Sequence, residues 1–187
     1  MAYLIALIPA LGWGFMPLIT GKVGGSEANQ IFGIGAGASF VGLIAFLIIH
    51  PQVSMKAFLF SLLCGALWST AQVGQFVSFK RIGVSNTVPL STVFQLVGNS
   101  IIGVIIFGEW HSARALTIGF IALAIVIIGA MMTSFTDRSG GQNVTSKDVL
   151  FLLVTTIGYW IYSSFPKMPI LVHEDSVGIF LPEVLGK

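Results

Sequence analysis

Residues 65–98 read GALWSTAQVGQFVSFKRIGVSNTVPLSTVFQLVG, and their charge pattern decides the fold class. Lys80 and Arg81 stand side by side, and the stretch holds no other Asp, Glu, Lys or Arg. Followed outward, the charge-free windows on the two sides of this pair cover 57–79 and 82–108. A helix needs roughly 20 apolar residues to cross the hydrocarbon core of a bilayer. Two such runs, joined by a basic two-residue hinge, predict a helical hairpin through a membrane. A soluble core helix would carry charges along its outer stripe, and these runs carry none.

The same pattern extends through the chain. Windows 1–21, 28–55, 115–136 and 149–166 also lack charged residues. Of the 187 residues, 55% are hydrophobic and 9% charged, against about 25% charged in soluble domains. An all-α integral membrane fold follows, with helices expected near 2–20, 30–49, 57–79, 82–107, 115–135 and 149–165. Met1–Gly21 has no basic leader, so it reads as a spanning helix and not as a cleaved signal. Residues 136–148, TDRSGGQNVTSKD, have the composition of a polar connecting loop. The N-x-T at Asn143 carries meaning only in a secretory-pathway protein. Ile179–Leu185 begins a seventh apolar segment before Lys187.

An internal repeat organises these segments. Shifting the numbering by 146 sets Leu4–Met16 on Leu150–Tyr162 and Gly12-Trp13 on Gly158-Tyr159. Residues 1–135 then form a first five-helix repeat, and 149–187 begin a second with helix 6 and part of helix 7. An odd number of helices per repeat inverts the second copy, which is a common architecture of secondary transporters. The expected molecule is the front part of a longer inverted-repeat protein, completed by a C-terminal half or by a second copy. With an inside N-terminus, Lys56, Arg114 and Lys167 are cytoplasmic, while Lys22, Lys80, Arg81, Arg138 and Lys147 are outside. The positive-inside rule by itself favours the opposite orientation.

Composition also limits the chemistry. The net charge of +2 is dispersed and gives no nucleic-acid footprint. Cys64 is the single cysteine, so no disulfide or clustered metal site is expected, nor any cofactor. His50 and His111 fall at helix ends and His173 in a loop, which leaves no constellation for an enzyme. Neutral polar residues do show spacing. Trp68, Gln72, Gln75 and Phe79 share one face of helix 3, and Thr92, Gln95 and Asn99 share one face of helix 4. Amides both donate and accept hydrogen bonds, as the hydroxyls of an uncharged polyol do, and aromatic rings offer a flat wall for a sugar's C–H face. The candidate substrate contacts are Trp13, Trp68, Gln72, Gln75, Gln95, Asn99, Tyr159 and Trp160. The competing role for each is interhelical glue. Pro17 and Pro89 each remove a helical hydrogen bond and are candidate kinks for gating. Gly33, Gly35, Gly37 and Ser39 form a small-residue stripe for close packing.

Three stretches together resemble the glucose/ribose porter family of the drug/metabolite transporter superfamily. They are PALGWGFMPLITGKVGG (9–25), the opening 65–98 stretch, and IIFGEWHSARALTIGFIALAIVIIGAMM (105–132). The resemblance implies two inverted five-helix halves in the bacterial cytoplasmic membrane. It also implies an inside N-terminus and sugar uptake by alternating access, coupled to protons. The other readings are export of a metabolite or drug, and a non-transporting membrane subunit.

Overall fold

The computed structural model describes residues 2–136, 144–171 and 173–187. Its helices are α1 (Ala2–Val23), α2 (Glu27–Ile49), α3 (Met55–Ile82), α4 (Val84–Ile105), α5 (Ala113–Thr136), α6 (Ser146–Ser164) and α7 (Ser176–Leu185). Most of the 136–148 connection, including Asn143, lies outside the described residues, as does Arg138.

The ends of these helices follow local chemistry. Ser26, Ser54 and Asp175 each accept a hydrogen bond from a first-turn backbone N–H with the side chain. Thr145 and Asp148 form a reciprocal capping box at the start of α6. The Asp175 cap starts α7 at Ser176, three residues before the apolar run itself begins. The basic hinge expected at Lys80-Arg81 is instead the last turn of α3. Cations there oppose the negative end of the helix dipole, so the helix continues to Ile82. The break falls on Gly83, whose φ of 81° favours a residue without a side chain.

α6 packs between α3 and α4, α7 lies against α2 and α3, and α5 leans on α4. Glycines set these approaches. A Cβ at Gly74 would strike the Thr155 side chain, one at Gly158 the Leu67 carbonyl, and one at Gly98 the Trp160 ring. The small stripe of α2 is used at Gly35, Ser39 and Gly42. Gly35 meets the Lys187 backbone, and Ser39 Oγ donates to the Val184 carbonyl at 3.0 Å. A Cβ at Gly42 would come within 2.8 Å of Val184 Cγ2. Gly33 and Gly37 face open space, so the stripe follows a 4–3 spacing and not alternate residues.

Polar contacts mark the two ends of the bundle. At one end Lys80 Nζ pairs with Glu27 at 2.9 Å, and Arg81 lies 4.6 Å over the Phe151 ring. At the other, Glu174 accepts from Ser54 N and Oγ at 3.2 and 2.6 Å, and Lys167 pairs with Glu109. α3 and α7 therefore run parallel, and α6 runs antiparallel to α3. Among the described residues, five stretches are long and apolar enough to cross a membrane: 27–49, 55–82, 84–105, 113–132 and 146–167. The described side chains of α1 are mostly exposed, as are those of α5. α1 reaches the bundle through Trp13, whose ring centroid is 6.1 Å from that of Trp68. Both α1 and α4 continue as helices through Pro17 and Pro89.

Candidate functional site

The candidate side chains divide between two faces of α6. On the face toward α3, Tyr159 hydroxyl stands 2.7 Å from Gln72 Oε1 and 2.8 Å from Gln75 Oε1. Gln72 Nε2 donates to Gln75 Oε1 at 3.3 Å. Gln72 is completely buried and Tyr159 nearly so. Trp68 packs edge-on against Tyr159 at 6.3 Å and lies 6.2 Å from Tyr162. Trp13, half exposed, also packs against Trp68, with its ring tilted by 58°. Five of the eight candidates thus form one cluster, and its two amides bond mainly to Tyr159 and to each other.

The other candidates lie toward α4. Trp160 lies over Gly98 and donates from Nε1 to the Phe94 carbonyl at 2.9 Å. Gln95 donates to Ser91 of its own helix at 3.0 Å. The spacing that put Gln95 and Asn99 on one helical face does not bring them to the α3 cluster, because α6 stands between.

A cavity of about 310 Å³ opens between α4 and α6. Asn99, Ser100, Ser163 and Ser164 supply its polar wall, and Phe107 and Trp110 its aromatic one. The Glu109–Lys167 pair lies at its mouth, with both side chains partly exposed. Asn99 Oδ1 is buried without a hydrogen-bond partner. An unpaired buried amide oxygen is costly, and a ligand hydroxyl in the cavity would relieve it. Ser163 and Ser164 gave no signal in the sequence, because serines in an apolar helix are common packing residues.

A further group escaped the charge-free windows entirely. Glu183 in the last turn of α7 and Lys187, two residues past the helix end, sit four residues apart with side chains 14% and 10% exposed. Tyr162 donates to Glu183 Oε1 at 2.6 Å, and Lys187 Nζ stands 3.7 Å from the same oxygen. Lys187 Nζ also lies over the rings of Trp68 and Tyr162, at 4.6 and 5.0 Å. The i,i+4 charge pair in IFLPEVLGK was the available signal. A test for windows empty of charge passes over a helix whose charges are its feature.

With this geometry in view, the family model described as "Sugar transport protein" matches residues 4–187, nearly the whole chain. The chain belongs to the sugar transport protein family. A Lactobacillus helveticus protein named for sugar uptake is 47% identical over 188 residues, covering 100% of this chain and 65% of that protein. A Latilactobacillus sakei protein named for ribose uptake is 40% identical, covering 98% of this chain and 62% of its own length. The glucose uptake protein GlcU of Bacillus subtilis is 36% identical, with coverages of 100% and 65%. This sugar transport family member therefore spans about 65% of the length of such relatives. No solved structure matches it. Family membership and the apolar helices together make it a multi-pass membrane protein, which in bacteria means the cell membrane.

Proposed function

We propose that the protein carries a neutral sugar of the glucose or ribose class into the cell by alternating access, driven by protons. The observation that carries this reading is the α4–α6 cavity, whose inner wall is neutral and holds the unpaired Asn99 oxygen, with charge confined to the Glu109–Lys167 pair at its mouth. Its volume suits a monosaccharide, and it offers hydroxyl, amide and aromatic groups in one place. The names of the relatives point to the same substrate class.

In this reading a sugar hydroxyl donates to Asn99 Oδ1, the serines exchange hydrogen bonds with its neighbours, and Phe107 and Trp110 face its C–H surface. Gln72, Gln75, Tyr159 and Trp68 hold α6 against α3. Residues 1–135 act as one repeat, and α6 and α7 open the second, so α6 is the moving contact between halves. Pro17 and Pro89 give α1 and α4 places to bend.

Counterflow of labelled glucose and ribose into vesicles holding the full-length protein tests the proposal. Saturable counterflow that unlabelled sugar competes away is expected. Asn99→Leu should weaken apparent sugar affinity by about tenfold, the equivalent of one hydrogen bond. Counterflow indifferent to every sugar, with export of apolar compounds instead, would replace uptake by efflux.

A further inference from the structure

Among the described residues, Glu183 is the one carboxylate that lies beside the middle of a spanning helix. Glu27 and Asp148 sit in first turns, and Glu109, Glu174 and Asp175 between helices. Its depth follows from packing. The Glu183 carbonyl rests on Gly65, Gly186 rests on Leu62, and the Lys187 ammonium stands over Trp68. α3 runs from Met55 to Ile82, so this level is near its midpoint. Ionisable side chains at such depth are expensive and mark ion or proton pathways.

The surroundings of Glu183 offer two alternative partners for one cation. Lys187 Nζ is 3.7 Å from the carboxylate, yet it also sits within cation–π range of Trp68 and Tyr162. It donates to Tyr162 hydroxyl at 3.3 Å, and that hydroxyl donates to Glu183. The groups facing Glu183 are few. α6 contributes Tyr162 and α3 contributes the buried thiol Cys64. The titratable side chain of α2 is Glu27, in the first turn, whereas α7 meets that helix further along, at Gly35, Ser39 and Gly42.

We propose that Glu183 carries the transported proton, and that Lys187 is its internal counter-ion. When the site faces outward, a proton from water forms an O–H bond on the Glu183 carboxylate. The ammonium, no longer paired, rests on the aromatic faces of Trp68 and Tyr162. When the site faces inward, the O–H bond breaks to water and the ion pair reforms. Tyr162 joins this exchange to α6, whose opposite face bears Trp160, Ser163 and Ser164 beside the sugar cavity. Protonation and sugar occupancy thus act on one helix. This assignment rests on the sugar-carrier reading above.

The test uses the full-length protein in vesicles under an imposed pH gradient. Glu183→Gln keeps the shape and an acceptor for Tyr162 but cannot release a proton. Its gradient-driven accumulation should fall by about tenfold or more, while sugar counterflow persists. Accumulation equal to that of the parent would overturn the assignment. Lys187→Gln removes the cation that favours the ionised carboxylate, so the pH of half-maximal uptake should rise by about one unit. An unmoved profile would equally overturn it. Infrared titration of the purified protein supplies a readout without sugar. A buried protonated-carboxyl band that titrates in the parent, and vanishes in Glu183→Gln or in Glu183→Gln/Lys187→Gln, supports Glu183; a parent lacking the band refutes it. A parent that moves no sugar yet shows the band would refute the carrier reading alone.

Discussion

At the scale of single residues, Tyr159 and Asn99 make opposite demands. The Tyr159 hydroxyl faces two amide oxygens across the α3–α6 seam. Tyr159→Phe should lower stability in detergent by about 1–2 kcal/mol, read as a fall in melting temperature, with little effect on sugar affinity. Asn99→Leu should do the reverse, because its oxygen has no partner to lose. If both substitutions moved affinity alike, the division into seam and cavity would fail. Helical spacing made Gln72, Gln75 and Asn99 legible as polar positions. Which of them would find partners was not legible, because that depends on where α6 lies. Periodicity within one helix says nothing about the helix that will cover it.

Among elements, close approach separates the glycines by role. Gly158 and Gly74 place α6 within backbone contact of α3, and Gly98 admits the Trp160 ring. Gly158→Leu should push α6 outward and sharply reduce the yield of folded protein, as overpacking of a tight seam does. Gly33→Ala and Gly129→Ala meet nothing within 4 Å and should fold normally in this chain, which detergent-solubilised yield would show. The Glu109–Lys167 pair is half open to solvent. Its double-mutant coupling should be below about 1 kcal/mol and should weaken with salt. The helices themselves were plain from charge-free windows, whose length is set by the bilayer. Their ends were less so. Lys80 and Arg81 read as a hinge, but a helix end welcomes cations and carried both within α3.

For the whole molecule, the order of helices in space differs from their order in sequence. α6 and α7 fill the groove left by α2, α3 and α4, while α5 stands outside on α4. The hydrogen bond from Tyr159 to Gln72 spans 87 residues. Chains are made at about 5–20 residues per second, so Gln72 waits roughly 4–17 s for its partner. Throughout that interval its amide faces lipid, the insertion machinery or a chaperone. Nascent chains halted before residue 150 should therefore be degraded faster in pulse-chase than chains halted after 187. Equal lifetimes would show that the amides find other company in the meantime. The seam between α3 and α6 is thus also a clock, setting how long the first five helices must survive without the sixth.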